Sequence, residues 1–266
     1  MGETMERIRW GVSLLLLATQ AWADADVDRV IACMRANLPV TTLVEQVELS
    51  TSDRSGTRVL RGSLYVKGER TPAGARLRAM LRLDAPPDLA GAAYLLRQSA
   101  DLASDEVYFY LPAIRRARRV TGASADAPLL GSGFSYNDFR QMQTAFVDGS
   151  ALMEDPEMID AHPAWVLSFR PPPDEEGHAP YTLVRSWVDQ RACVPLKTEF
   201  SYGVDIVKQL SASVASLRQF GSTWYAGEVQ LRDLHGGGSS TLKVLSASGG
   251  AIADAVFDPA IFFSAR

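Results

Sequence analysis

The chain offers few side chains at spacings that would support metal-assisted or histidine-based chemistry. Its three histidines, His162, His178 and His235, each lie in a loop-like stretch. None has a cysteine, a second histidine or a carboxylate at the separation typical of metal ligands. We therefore expect three scattered surface histidines, no metal site and no cofactor.

Glycine-rich and acidic segments also lack the patterns of a catalytic site. GSGFS (131–135) and GGGSS (236–240) do not match the G-x-S-x-G motif that exposes a nucleophilic serine. The second segment begins no predicted helix, so it is not typical of a phosphate loop. The acids in EDPE (154–157) and DEE (174–176) stand in predicted loops, where carboxylates are ordinarily solvated. These patterns predict no catalytic residues and a protein that is not an enzyme.

The densest positive charge lies in YLPAIRRARRV (110–120), and we call its residues Arg115, Arg116, Arg118 and Arg119 the arginine strip. A helix would place all four on one side, but the segment is far shorter than the roughly 12 to 15 residues that an isolated helix needs. A strand would carry arginine on both faces, and burial of an unpaired charge is too costly. Such a strand must lie at a sheet edge, at a rim or beside a solvated cavity.

Two roles for the arginine strip remain open. It contacts anionic lipid headgroups or an acidic partner, or it pairs with acids on neighbouring strands and keeps an edge strand soluble. The chain as a whole has a net charge of −4, which is not typical of a nucleic-acid-binding protein. We expect no nucleic-acid partner.

The N-terminus has the pattern of a secretory signal peptide. Arg7 and Arg9 precede the apolar stretch GVSLLLLATQAWA, which ends in a small-x-small cleavage site at residues 21–23. The stretch is shorter than the about 20 residues that span a bilayer. We expect residues 1–23 to be removed and residues 24–266 to form a single exported domain.

Cys33 and Cys193 are the two cysteines of the chain. In an oxidising compartment an even count favours a disulfide, and two buried free thiols are the alternative. A bridge would close a loop of about 160 residues, for which the chain-entropy model gives roughly 5 kcal/mol of stabilisation.

Helical spacing of apolar residues occurs in two places. One predicted helix covers residues 26–39 and is ended by Pro39. The other covers residues 135–146, with Ser135 or Asn137 as its N-cap.

Most of the remaining sequence alternates as β-strands do. The clearest strand is ARLRAMLRLDAP (75–86), which has one apolar and one mostly basic face. The pattern predicts about eleven strands, with FDPAIFF (257–263) as a short closing element. We expect a mainly β (α+β) chain with one large antiparallel sheet, which must curl, split or close.

Two segments resemble the outer-membrane lipoprotein-sorting proteins, the LolA-like family of periplasmic carriers. They are VYFYLPAIRRARRV (107–120) and LLGSGFSYNDF (129–139), and DRSGTRVLRGSLYVK (53–67) and the exported start fit the same pattern. The resemblance extends from about residue 26 to the C-terminus. It implies an incomplete antiparallel β-barrel with helices covering the concave apolar face. It also implies a hairpin turn at Pro112, which favours the strand interpretation of the arginine strip.

Gly133 departs from the family pattern. It stands in GSGFSY where the resemblance implies an acidic residue. If that acid ordinarily pairs with the arginine strip, the pairing is missing in this chain.

The resemblance implies a periplasmic carrier that holds lipid or lipoprotein acyl chains in the half-barrel and transfers them toward the outer membrane. We expect an apolar cavity of at least roughly several hundred cubic ångström, the usual scale of ligand pockets. Its candidate lipid-binding residues lie on the apolar faces of strands: Leu64, Val66, Leu77, Leu81 and Leu83.

The partners implied by the resemblance are the lipid or lipoprotein cargo, an inner-membrane lipid exporter and an outer-membrane acceptor. We expect a monomer that contacts a membrane surface transiently. The alternative is a periplasmic sensor or binding module that recognises lipoproteins or a membrane protein without transporting them.

Overall fold

A computed structural model describes the chain over residues 26–39, 41–54, 56–71, 74–99, 105–120, 127–135, 138, 150–171 and 181–265. The predicted signal peptide (1–23) and nearly all of the predicted second helix (135–146) lie outside these residues. Of the helices within them, none is both long and apolar enough to cross a bilayer.

The first element is helix α1, residues 26–36. Its apolar side chains recur every three or four positions, so they share one face, and all of them are buried: Val27, Val30, Ile31 and Met34. The backbone turns at Asn37, whose N–H donates to the carbonyl of Cys33. The helix predicted over 26–39 is confirmed, and it ends shortly before Pro39.

Fifteen strands follow in the described chain. They are β1 (Thr42–Asp53), β2 (Gly56–Thr71), β3 (Gly74–Ala85), β4 (Ala93–Arg97), β5 (Glu106–Leu111), β6 (Arg116–Arg119), β7 (Ser150–Ile159), β8 (His162–Arg170), β9 (Leu183–Asp189), β10 (Pro195–Tyr202), β11 (Asp205–Ala212), β12 (Leu217–Phe220), β13 (Thr223–Ala226), β14 (Glu228–Asp233) and β15 (Gly238–Gly249). Short 3₁₀ helices lie at Leu129–Gly131, Val214–Ser216 and Asp254–Phe257.

Thirteen of these strands form one antiparallel sheet in the order β6-β5-β4-β3-β2-β1-β15-β14-β11-β10-β9-β8-β7. The other two, β12 and β13, form a separate hairpin. Among the described strands, no ladder joins β6 to β7, so the sheet is open and not a closed barrel. The predicted mainly β fold with one large antiparallel sheet is confirmed.

The structure has fifteen described strands against the predicted count of about eleven, and two local features contribute to the difference. The segment TWYAGEVQLRDL divides near Gly227 into β13 and β14, which belong to different sheets. The acidic EDPE segment lies inside β7 and not in a loop, which corrects the prediction. Its Pro156 falls where the register with β8 shifts between Glu154 and Glu157. Proline is tolerated at such irregularities on edge strands, because no ladder hydrogen bond is lost there.

The large sheet has two differently covered faces. We call the face that carries Leu43, Val47 and Leu49 of β1 the inner face, and the opposite face, with Met80 of β3 and Leu95 of β4, the outer face. Successive side chains of a strand point to opposite faces, so each strand contributes to both.

Different parts of the chain cover the two faces. Helix α1 and segment 127–135 pack on the inner face, where Val30 and Phe134 are fully buried. The C-terminal segment 252–265 packs on the outer face, where Phe262 is fully buried against a cluster that includes Met80. The predicted closing element at 257–263 therefore covers the outer face.

Candidate functional site

Two cavities lie on the inner face. The larger, of about 240 Å³, is bounded above by the end of α1 and by the β12–β13 hairpin. The smaller, of about 80 Å³, lies beneath the 3₁₀ turn Leu129–Gly131. Leu64 and Leu242 line both cavities, so these two residues lie at the boundary between them.

The five residues predicted to contact lipid all lie along this surface. Leu64, Val66 and Leu77 line the larger cavity, and Leu64, Leu81 and Leu83 line the smaller. Ladder pairing brings them together, because Leu64 stands opposite Leu81 in the β2–β3 register. Their role in lipid binding stays a prediction.

The cavity volumes correct the expected size. Each cavity is smaller than the roughly 300 to 1,000 Å³ typical of ligand pockets. The inner face is partly filled by side chains of its own cover. Phe134 of segment 127–135 and the apolar residues of α1 belong to the main core cluster and Leu130 packs against it, while the buried Leu129 lines the smaller cavity.

Asn37 joins α1 to the hairpin above the larger cavity. Its side-chain amide donates to the carbonyls of Trp224 (2.8 Å) and Ala192 (3.1 Å). Its side-chain oxygen accepts from the backbone N–H of Trp224 at 2.6 Å. One side chain thus connects the helix, the hairpin and the turn after β9 into a single cover.

A disulfide fixes the same cover to the sheet. Cys33 of α1 is bonded to Cys193 in the turn before β10, with the two Cα atoms 5.8 Å apart. The predicted disulfide is confirmed. The bridge and the Asn37 hydrogen bonds lie within one helical turn of each other, so the end of α1 is held at two adjacent points.

Glu45 is a carboxylate in the wall of the larger cavity. It occupies an inner-face position of β1, directly opposite Leu64 of β2 and Ala247 of β15. Only 7% of its surface is exposed. Within the described residues no hydrogen bond or ion pair to its carboxylate occurs, although such groups are ordinarily paired when buried.

Burial of Glu45 changes its acidity. Removal from water raises the pKa of its carboxyl from 4.5 to about 7, because desolvation disfavours the charged form. The nearby Tyr225 also has a raised pKa, first through burial and then through the charge of Glu45. The cavity wall therefore carries an acid that changes charge near neutral pH.

A second buried acid, Asp138, anchors segment 127–135 to the sheet. Its carboxylate accepts from the N–H and hydroxyl of Ser135, at 2.6 and 2.9 Å, and from the ammonium of Lys208 at 2.9 Å. Its own N–H donates to the Ser135 hydroxyl at 3.1 Å. This reciprocal pairing has the hydrogen-bond pattern of a capping box. Asp138 is thereby fully paired and serves to hold the cover.

The arginine strip lies on an edge strand. β6 pairs only with β5 among the described strands, and residues 112–115 form the turn between them, with Arg115 at a positive φ of 49°. Arg116 and Arg118 stand opposite Leu111 and Phe109 on the inner face, whereas Arg119 stands opposite Tyr108 on the outer face. The hairpin turn at Pro112 and the edge position are confirmed.

The four arginines have different surroundings. Arg119 lies 4.0 Å from the carboxylate of Glu106, which also pairs with Arg97 at 3.3 Å. Arg115, Arg116 and Arg118 are exposed, and no ion pair to them occurs within the described ranges. The strip is thus paired on the outer side and solvated on the inner side.

Gly133 lies far from the strip in the sheet order. Its N–H donates to the hydroxyl of Ser240 on β15 at 2.8 Å, and five strands separate β15 from β6. A Cβ at this position would stand 3.1 Å from atoms of both Leu231 and Ser240. Close packing explains the glycine, and an acid there would meet β14 and β15 and not the arginine strip.

The three histidines that were predicted to lie in loops have different positions relative to the strands. His162 begins β8, which corrects its assignment to a loop, and its Nδ1 lies 2.8 Å from a carboxylate oxygen of the buried Asp189. His235 lies in the turn before β15, and His178 and the DEE segment lie outside the described residues. No group of three or more potential metal ligands occurs in the described chain.

Asn37 and Glu45 are the site residues that the sequence analysis missed. The sequence contains a signal for Glu45, because it takes the place of an apolar residue in the alternating series Leu43, Val47 and Leu49. These positions share the buried face of the strand, so Glu45 must be buried with them. Asn37 had none, because its partners lie 155 and 187 residues away in the chain.

Solved structures with the same fold support the architecture. A DUF1329 family protein from Desulfovibrio piger has a TM-score of 0.78 at 19% identity, covering 88% of this chain and 96% of its own. A putative outer membrane lipoprotein-sorting protein domain from Vibrio parahaemolyticus has a TM-score of 0.74 at 18% identity, covering 88% and 97%. A LolA superfamily protein from Nitrosomonas europaea has a TM-score of 0.64 at 16% identity, covering 87% and 96%.

The family comparison covers the chain from β3 onward and leaves out α1, β1 and β2. No match was found among curated proteins. A family model with the description "Uncharacterized protein" matches residues 76–262, from β3 to the closing C-terminal segment. The chain belongs to this family, and its fold is the open LolA-like half-barrel.

Proposed function

We propose that the protein is a periplasmic carrier that holds a lipid, or the acyl chains of a lipoprotein, on the inner face and transfers it toward the outer membrane. The observation that carries this proposal is the pair of largely apolar cavities side by side on the inner face, with Leu64 and Leu242 lining both. An extended acyl chain needs a continuous apolar wall, and in this proposal rearrangement at Leu64 and Leu242 joins the two cavities.

The way in which the end of α1 and the β12–β13 hairpin cover the inner face favours a carrier with a space for a ligand over a permanently filled core. This cover is tied at its base by the disulfide and by Asn37, while the smaller cavity is closed by the short turn Leu129–Gly131. A ligand that displaces Leu129 and Leu130 would gain the apolar contacts that these side chains now make. The expected volume of several hundred cubic ångström then belongs to the loaded state.

The fold likeness to a lipoprotein-sorting domain and a LolA superfamily protein supports the same class of cargo. The disulfide fits the oxidising periplasm and a signal peptide at residues 1–23. In this proposal the donor is an inner-membrane lipid exporter and the acceptor lies at the outer membrane.

We place the exposed arginines at the membrane or partner contact. Arg116 and Arg118 lie on the inner side of the sheet edge, where cargo would enter beside Phe109. Anionic headgroups would meet their charge at low energetic cost, because the arginines are already solvated.

Native mass spectrometry of protein purified gently from the periplasm tests the carrier proposal. We expect adducts of lipid mass, and uptake of a fluorescent acyl probe after delipidation. Leu64→Phe, which adds volume at the shared wall, should reduce bound lipid. Leu245→Phe is the matched control, because Leu245 is 56% exposed. Protein that repeatedly emerges without lipid and takes up no probe would contradict the proposal, and recovery of a membrane regulator instead would favour a sensor.

A further inference from the structure

We propose that Glu45 makes the larger cavity selective for amphiphiles whose polar group donates hydrogen bonds and is not anionic, with an aliphatic amine bound best. This inference rests on the proposed carrier function and specifies the cargo chemistry of the same site. Apolar pockets commonly contain a small number of placed polar groups that orient the ligand.

The first observation is that Glu45 lacks a partner where one would ordinarily be found. It is 93% buried, since 7% of its surface is exposed, and it lines the larger cavity. Asp138 shows how the same fold buries an acid that serves only structure, with Lys208 and two groups of Ser135 bonded to it. In the described chain Glu45 has no equivalent bonds, so its hydrogen-bonding capacity is directed into the cavity.

The second observation is the order of side chains along β1. Leu43 and Glu45 line the larger cavity, and Val47 and Leu49 line the smaller. The smaller cavity is lined almost wholly by apolar side chains. A ligand whose tail lies against Val47 and Leu49 would therefore bring its polar end to Glu45, at the end of the cavity covered by Trp224 and Tyr225.

The neighbouring charged groups do not neutralise Glu45. Lys197 lines the same cavity, but its ammonium is bound to Glu199 at 2.5 Å. Arg218 of the hairpin donates to the carbonyls of Ala215 and Leu217, each at 3.0 Å. Among the described residues Tyr225 also lies beside Glu45, and its hydroxyl is neutral near pH 7, since the ordinary pKa of tyrosine is about 10 and burial raises the pKa of Tyr225 further.

The charge of Glu45 sets the direction of selectivity. When it is ionised, an ammonium would supply the missing counter-charge, and charge-assisted hydrogen bonds are the strong class. A hydroxyl would donate one weaker bond. A carboxylate or phosphate would place a like charge beside a poorly solvated one, which is unfavourable. The selectivity should therefore increase as the pH rises through about 7, where Glu45 ionises.

Binding of decylamine, decanol and decanoate to the delipidated protein tests the inference, since the three differ only in the polar group. Calorimetric titration of wild type at pH 8 should rank amine above alcohol above carboxylate, with at least about tenfold between the first and last, equivalent to about 1.4 kcal/mol. At pH 5.5 the gap should shrink to about threefold or less, because a neutral carboxyl loses the charge-assisted bond.

Glu45→Gln should remove the preference at both pH values, and it should improve decanoate binding at pH 8. Glu228→Gln is the control, because Glu228 is partly exposed, pairs with Lys243 and does not line the cavity. If all three probes bind wild type and Glu45→Gln with the same rank, the carrier proposal stands and this inference is overturned. If none binds to either protein, the carrier proposal itself fails.

Discussion

The two faces of the large sheet are covered in similar ways but are packed differently. On the outer face, the C-terminal segment buries Phe262 completely, and Phe263 stacks on Tyr110 with ring centroids 4.1 Å apart. Arg82 fixes the end of this segment by donating to the carbonyl of Ala265 at 2.7 Å. On the inner face, α1 and the β12–β13 hairpin are fixed as firmly, yet they leave about 240 Å³ beneath them.

The difference shows that the cavity on the inner face arises from the elements that cover this face and not from irregular pairing within the sheet. β2 and β3 supply both surfaces at once, with Leu64 and Leu77 facing inward and Tyr65 and Met80 facing outward. The same strands are closely packed on one side and border a cavity on the other. The tethers at Cys33 and Asn37 hold the inner cover at its edge, which keeps the volume open.

Truncation of one core residue on each face should give the largest difference between the faces in the free energy of unfolding. Leu95→Ala, which truncates a fully buried leucine of the outer face, should lower the free energy of unfolding by about 4–5 kcal/mol, the upper part of the range for leucine. Leu77→Ala should lower the free energy of unfolding by about 2 kcal/mol, because Leu77 already borders the larger cavity and loses fewer contacts. Urea denaturation of delipidated protein measures both. Equal costs would mean that the inner wall is packed as closely as the outer one.

Glu45→Gln should stabilise the delipidated protein in a pH-dependent way. The folded-state pKa of about 7 lies above the ordinary 4.5, so burial of the ionised form is a cost that grows from about pH 4.5 to 7 and is complete above that. The substitution should therefore raise the free energy of unfolding by on the order of 3 kcal/mol at pH 8 and change it little at pH 4.5.

The control for this experiment is Glu228→Gln, which removes an exposed pair with Lys243. Exposed pairs contribute roughly 0 to 1 kcal/mol, so its effect should be small at both pH values. A gain from Glu45→Gln that does not depend on pH would show that Glu45 is not buried as an unpaired acid.

Charge reversal in the arginine strip should have the smallest effect on stability. Arg116→Glu with Arg118→Glu should change the free energy of unfolding by less than about 1 kcal/mol, because both side chains are solvated. Binding to anionic vesicles at low salt should fall at least about fivefold, since a basic residue near such a surface contributes about 1 kcal/mol. Arg35→Glu with Arg232→Glu alters net charge equally at exposed positions elsewhere. Equal losses in both double variants would exclude a localised contact.

Much of the fold was predictable, because the alternation of apolar and polar residues indicates which side of a strand is buried. The period-2 pattern of β3 predicted both of its surfaces, and the pattern of α1 predicted its buried face. β7 was missed because Pro156 and three acids are typical of loops, and only its edge position makes them compatible with a strand. Two of its acids are paired across the sheet, with Glu154 bonded to Arg185 and Glu157 to the indole of Trp187.

The candidate site was less predictable, because it depends on what covers the sheet. Alternation identified Leu64, Val66 and Leu77 as wall residues, but any core face gives the same pattern. The cavity exists because the cover is held by Asn37 and the disulfide, and those contacts join positions more than 150 residues apart. Glu45 was readable as a break in the pattern of β1, but its isolation follows only from the packing of the hairpin above it.

Tryptophan quenching tests most directly whether the inner face holds an acyl chain. Trp224 lines the larger cavity and Trp187 is buried on the outer face beside Lys197. In protein that lacks residues 1–23, and with them Trp10 and Trp22, two variants isolate the probes. Trp165→Phe with Trp187→Phe retains the inner probe, and Trp165→Phe with Trp224→Phe retains the outer one. A doxyl-labelled fatty acid methyl ester is the ligand, so the charge of Glu45 does not decide binding. Saturable quenching confined to Trp224 is the predicted result, and equal quenching of both tryptophans, or of neither, would contradict a lipid site on the inner face.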